Sequence, residues 1–193
     1  MQQLIGRRDA LRLGGAALAG AAASTLSLPG SSLSAWAANL SPEGPRRAIL
    51  HNLHTGDTFN EVYFANGRYV PAAMAEAMRV LRDWRNGEER VMDPRLFDAL
   101  HAIQGRLETN QPFQIISGYR SPRTNAMLHA RSSGVASNSQ HTQGKAVDVR
   151  IQGVDLRNLH KAALDVSAGG VGFYPTSNFV HVDVARVRRW TGV

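Results

Sequence analysis

Residues 179–184, FVHVDV, alternate strictly, so an extended chain puts Phe179, His181 and Asp183 on one face and Val180, Val182 and Val184 on the other. Three valines in step require a core to pack against. The same backbone therefore carries a histidine and a carboxylate, one pleat apart, to the opposite face of a sheet. A second segment, KAVDVRI (145–151), has the same half-buried pattern and presents Asp148. It follows a polar, turn-like stretch, SNSQHTQG (137–144), in which His141 stands seven positions ahead of Asp148. Taken alone, that histidine–acid spacing fits a surface carboxylate on the solvent face better than a site. If the two strands share one sheet, however, His141, Asp148 and His181 can converge on one ion. Three nitrogen and oxygen ligands leave a fourth position open, which separates a catalytic zinc site from a closed structural one. The chain has no cysteine, so thiolate metal sites, disulfides and a cysteine nucleophile are excluded.

The amino terminus is read apart from the fold. Arg7 and Arg8 precede an Ala-, Gly- and Leu-rich run from Leu13 to Leu28, and Ala35-Trp36-Ala37 offers an A-x-A cleavage site. Residues 1–37 thus read as a twin-arginine signal peptide, with 38–46 as a linker and 47–193 as a single domain. The run is shorter than the roughly 20 residues a membrane-spanning helix needs, although an uncleaved signal would act as an anchor. Cleavage leaves 193 − 37 = 156 residues, enough for one core. The formal charge is +7; removing three arginines and one aspartate with the signal leaves +5. A basic surface suggests an anionic partner. No Lys/Arg run is interleaved with aromatics as in a nucleic-acid surface, and export also argues against nucleic acid. An anionic wall polymer is the expected partner, with membrane contact only through the transient signal, and the domain is expected to be monomeric.

The remaining pattern gives an α+β order. Residues 47–70 read as a β-hairpin around Thr55, Gly56 and Asp57. Helical spacing covers 71–85, and a second helix starts at Pro94 with Asp93 as its cap. FQIISGYR (113–120) is a strand and turn, and SPRTNAMLHAR (121–131) a short helix. After KAVDVRI come a helix over 155–166 and the closing strands GGVGFY and NFVHVDVARV. The expected architecture is a small antiparallel sheet carrying the metal site, packed by helices.

The stretch SQHTQGKAVDV resembles the S-x-H-x-x-G-x-A-x-D signature of the zinc peptidases that group D-Ala-D-Ala metallopeptidases, lysostaphin-type enzymes and the hedgehog signalling domain. With GYRSPRTN before it and GVGFYPTSNFVHVDV after it, the chain from about residue 46 onward resembles the YcbK-like murein endopeptidase family. The resemblance implies that His141, Asp148 and His181 are zinc ligands and that the substrate is a peptide cross-link of peptidoglycan. One position departs from the wider group. Many members carry an acid three positions before the second metal histidine, and here that position is Asn178, whose amide cannot take a proton at neutral pH. Asp183 is the nearest replacement, either as general base or as a carboxylate orienting His181.

Arg120, at the GYR turn, is the candidate electrophilic partner for a substrate oxygen. Tyr119 reads as structural, and Ser139 and Gln143 as groups fixing the loop around His141. His51, His54, His101, His129 and His160 read as satisfied or solvated side chains. The functional expectation is a zinc-dependent murein endopeptidase that acts in cell-wall remodelling. The alternatives are a non-catalytic, zinc-containing peptidoglycan-binding domain and a carboxypeptidase trimming free peptide ends, since fold alone does not choose between them.

Overall fold

Both alternating segments form strands, and the two strands are neighbours. The computed structural model describes residues 40–132 and 134–192. The signal peptide expected at 1–37 and the first residues of the linker lie outside the described residues.

The hairpin forms β1 (Arg46–Asn52) and β2 (Thr58–Ala65), followed by the short β3 (Arg68–Tyr69). Helices α1 (Pro71–Val80) and α2 (Pro94–Arg106) precede β4 (Phe113–Ser117) and α3 (Pro122–Arg131). A single 3-10 turn, Gln140–Gln143, leads into β5 (Ala146–Ile151); α4 (Leu156–Val166), β6 (Gly170–Tyr174), β7 (Phe179–Asp183) and β8 (Arg188–Thr191) complete the chain. Among the described residues the strands make one eight-stranded sheet in the order β3-β2-β1-β4-β5-β7-β6-β8. The α+β class holds. The sheet extends beyond the antiparallel one expected, because β1–β4 and β6–β8 pair in parallel.

Local chemistry explains most helix starts. Asp93, Ser121 and Asp155 each accept a backbone N–H of the first turn, from Arg95, Thr124 and Arg157, and proline opens α1, α2 and α3 where no N–H is needed. The first helix ends at Val80, five residues earlier than its spacing predicts. There the Leu81 carbonyl turns to accept Tyr119 N–H at 2.7 Å, and Gly118 packs against that carbonyl with no room for a Cβ. The Asp83 carboxylate then accepts the N–H groups of Arg85 and Ser121, folding 82–87 into a loop.

The valine faces point into the core as expected. Val147, Val149 and Ile151 of β5 and Val180, Val182 and Val184 of the β7 segment join Leu96, Leu100, Leu159 and Val166 from the helices. Each fully buried valine contributes roughly 1.5–3 kcal/mol. This anchoring fixes the register, because slipping either strand by one residue would turn its valines to the other face. The pairing sets Asp148 directly opposite His181. A register shift between Ile115 and Ser117 on β4 puts Ser117 opposite Asp148 on the other side.

Candidate metal centre

His141 sits on the 3-10 turn, which Ser139 caps by accepting the His141 N–H. Gly144 closes that turn in the left-handed region, at φ 69°, and a Cβ there would meet the Val91 carbonyl at 2.6 Å. The glycine of the signature is thus required both by conformation and by close approach. Asp148 on β5 and His181 on β7 face each other across the strand pair. His141, Asp148 and His181 are 2%, 3% and 8% exposed, so the three are shielded without being sealed.

The outer hydrogen bonds decide which ring nitrogens face inward. His141 Nδ1 lies 2.7 Å from the Gly118 carbonyl, which can only accept, so Nδ1 carries the proton and Nε2 presents a lone pair. His181 Nε2 donates to Asp183 Oδ2 at 3.1 Å, which leaves Nδ1 facing inward. His141 Nε2 is 3.2 Å from both Asp148 Oδ1 and His181 Nδ1, and His181 Nδ1 is 2.9 Å from Asp148 Oδ1. Three acceptors pointed at one another demand something positive among them: an extra proton on His181 or a metal ion. One ligand atom from each lies within 4.8 Å of the others, a spacing that fits a metal.

The ionisation shifts tell the same story. Burial pushes the His141 ring towards neutrality, against the pull of Asp148. Burial would raise Asp148, but the two histidines hold its carboxyl well below the ordinary carboxylate range. Burial would lower His181, yet its hydrogen bonds to Asp148 and Asp183 carry it above an ordinary histidine. The pocket favours the ligand form of the acid and attracts positive charge.

Arg120 and Asp183 hold the candidate ligands from outside. Arg120 Nη2 donates to Asp148 Oδ2 at 2.6 Å and its Nε to Ser117 Oγ at 2.9 Å, so only Oδ1 of Asp148 faces the histidines. Arg120 Nη1 has no partner among the described residues. Asp183 is fully buried and touches the His181 nitrogen that faces away from Asp148. Its Oδ1 accepts Gly170 N–H and Ala185 N–H, each at 2.9 Å, and both oxygens pair with Arg188. Burial would raise Asp183, but the His181 and Arg188 hydrogen bonds hold it far below the usual range. Both oxygens of this carboxylate are thus taken up by hydrogen bonds. Asn178 lies at the turn before β7 in the left-handed region, at φ 54°, which asparagine tolerates better than most residues.

The other sequence candidates stay apart from this cluster. Tyr119 is buried in the core, and Gln143 donates to Asn138 Oδ1 within the loop. His54 stacks on Trp84, His160 on Phe173, and His101 and His129 bond the Arg47 and Val135 carbonyls. His51 lies on β1, away from the cluster. The chain's pattern did not reveal Arg188, Trp190 or Tyr174, which join Arg120 and the three candidate ligands in lining a cleft of about 680 Å³. Their one sequence signal is a match of sizes: glycines at alternate positions of β6 face Arg188 and Trp190 of β8.

A family model described as Peptidoglycan L,D-endopeptidase MepK matches residues 41–190. The chain is 45% identical over 184 residues to the peptidoglycan L,D-endopeptidase MepK of Escherichia coli strain K12, covering 95% of this chain and 96% of that relative. It is 40% identical over 188 residues to the probable peptidoglycan L,D-endopeptidase MepK of Haemophilus influenzae, covering 97% and 96%. No solved structure gives a significant match.

Proposed function

The chain belongs to the peptidoglycan L,D-endopeptidase MepK family and is a peptidase, and on that premise we propose that it is a zinc-dependent endopeptidase hydrolysing peptide cross-links of peptidoglycan in cell-wall remodelling. The observation that carries this reading is the inward convergence of His141 Nε2, Asp148 Oδ1 and His181 Nδ1, three acceptors without a hydrogen to share in their ligand forms. Two imidazoles and one carboxylate are a donor set suited to zinc, and they leave room for substrate on the cleft side. Held there, zinc would supply a Lewis acid for the scissile carbonyl and would lower the pKa of a water molecule into the neutral range.

The chain's own groups supply the rest. Gly118 and Asp183 fix the tautomers of His141 and His181, so both rings offer lone pairs at the same point. Arg120 holds Asp148 to one inward oxygen through Nη2, while its Nη1 is available as the donor to the oxygen that gains charge on the scissile carbonyl. Asp183 acts as the orienting carboxylate. Among the residues lining the cleft, Asp148 is the one carboxylate, and Arg120 occupies its second oxygen. The names of the relatives support an L,D bond as the one cleaved. They also support action in the cell wall, which accords with the domain over 47–193 reaching the periplasm under a twin-arginine signal at residues 1–37; we take the domain to act there as a monomer.

Digestion of purified sacculi, with fragments identified by mass, tests the reading. Cross-linked fragments are expected to disappear with the metal-loaded protein, to persist after chelation, and to be cleaved again when zinc is restored. Binding to sacculi without any new fragment would instead identify a non-catalytic wall-binding domain.

A further inference from the structure

The parallel pairing of β6 with β8 sets Gly172 beside Trp190 and Gly170 beside Arg188. A Cβ on Gly172 would lie 2.6 Å from the Trp190 ring, and one on Gly192 would run into the ring of Tyr174. The rings of Trp190 and Tyr174 therefore occupy space that the glycines leave open. Trp190 reaches His181, with ring centroids 5.2 Å apart, and its Nε1 donates to the Tyr174 hydroxyl at 2.9 Å. On its other side Tyr174 stacks on Phe179, centroids 4.4 Å apart and planes 18° from parallel. The phenol is thus fixed in position by a stack, a glycine gap and a hydrogen bond.

That hydrogen bond also fixes the phenol's chemistry. An indole N–H only donates, so the Tyr174 oxygen is the acceptor and its own proton remains to be given. Among the described residues no carbonyl, carboxylate or hydroxyl accepts it. The ring and its indole partner line the same cleft as His141, Asp148 and His181.

We propose that the Tyr174 hydroxyl is a substrate-binding donor, hydrogen-bonding a carbonyl or carboxylate oxygen of the peptide stem, with Trp190 setting its direction. The proposal rests on the endopeptidase reading above. Every peptide unit of the stem carries a carbonyl acceptor and its free end carboxylate oxygens, which suits a wall presenting an unspent O–H. Trp190 bridges Tyr174 and His181, so the contact falls on a part of the stem away from the reacting carbonyl. Such a contact is made equally in the ground and transition states, and its loss raises KM while kcat stays near the parent value.

Tyr174→Phe keeps the stack and removes only the hydroxyl. Zinc content and steady-state kinetics on soluble cross-linked muropeptides are the readouts, using the metal-loaded protein. We expect zinc content at the parent level, kcat within about two-fold, and KM raised about 3- to 10-fold, the range for one neutral hydrogen bond. Trp190→Phe, which keeps a ring but removes the directing N–H, is expected to raise KM less than Tyr174→Phe. The double variant is expected to match Tyr174→Phe alone, because the two groups act through one contact. KM unchanged in Tyr174→Phe overturns the proposal while leaving the endopeptidase reading intact. So does a loss of zinc, which would make the tyrosine part of the metal site's packing. A parent protein inactive on every cross-linked substrate overturns both.

Discussion

Arg188 grips the Asp183 carboxylate from behind, Nη2 to Oδ2 at 2.7 Å and Nη1 to Oδ1 at 3.2 Å, while the same carboxylate accepts His181 Nε2–H. The pair is built into the strand register. Gly170, opposite Arg188, leaves space that a Cβ would fill 2.5 Å from Asp183 Oδ2. A guanidinium, a carboxylate and an imidazole thus stand in line behind the candidate metal position, and each fixes the next.

Asp183→Asn separates orientation from proton transfer. An amide has the same shape, but it can present an N–H to His181 and so favour the wrong tautomer. Zinc affinity is expected to fall about 10- to 100-fold, as for other partners of metal-bound histidines, and saturating zinc is expected to recover most of the activity. A loss of about 10²- to 10⁴-fold that persists at saturating zinc would instead mark Asp183 as the base.

Metal binding should also respond to pH through His181. A ligand histidine must be unprotonated, and the hydrogen bonds to Asp148 and Asp183 raise this ring above an ordinary histidine despite its burial. Protons therefore compete for the site at a higher pH than they would at a free imidazole, whose pKa is about 6.5. Zinc affinity, followed by competition with a chromophoric chelator, is expected to begin falling above that pH. The sign in the metal-free protein is the reverse. A raised histidine contributes stability that is fully present below the unfolded pKa and lost as pH rises through the folded one. Burial of His141 works against this at the acid end, because its pKa is lowered and protonating it costs stability. In the apo protein the two contributions therefore oppose each other, whereas the holo protein also loses the stabilisation from bound zinc as the pH falls. Affinity that stays flat down to about pH 5.5 would contradict the account, since an unperturbed histidine is largely protonated there.

How much of this was legible depended on whether a residue's role was written in its own strand. Asp148 and His181 were readable because alternation against a valine face fixes which way they point, and register follows from burying those valines; His141, on a turn, was readable only through its spacing to Asp148 and the signature around it. Helix starts were readable because Asp93, Ser121 and Asp155 act within three residues of their targets. The end of α1 was not, because the Leu81 carbonyl is claimed by Tyr119, 38 positions further along the chain. Strand β8 was hidden for a related reason. RRWT has no alternation of its own, and its side chains make sense only across the glycines of β6. Arg120 was visible as a cation near the site, but its grip on Asp148 depends on the shifted register that brings Ser117 alongside.

Arg120 is the residue where the two functions proposed for one side chain can be pulled apart. Its Nη2 and Nε are committed to Asp148 and Ser117, and both members of the Arg120–Asp148 pair are largely buried, so the guanidinium is held in one orientation. A lysine keeps the charge but offers a single ammonium, which cannot hold Asp148 and Ser117 and also reach a substrate oxygen. In Arg120→Lys the ammonium is expected to stay with Asp148, the stronger partner, so zinc content should remain near the parent level when zinc is in excess. The donor to the developing oxyanion is then lost, and kcat at saturating zinc should fall about 10²- to 10³-fold. Arg120→Ala removes the partner of a buried carboxylate as well, and should lower both zinc affinity and thermal stability. If Arg120→Lys retains kcat within a few-fold of the parent at saturating zinc, the arginine only positions Asp148, and the oxyanion is stabilised without it.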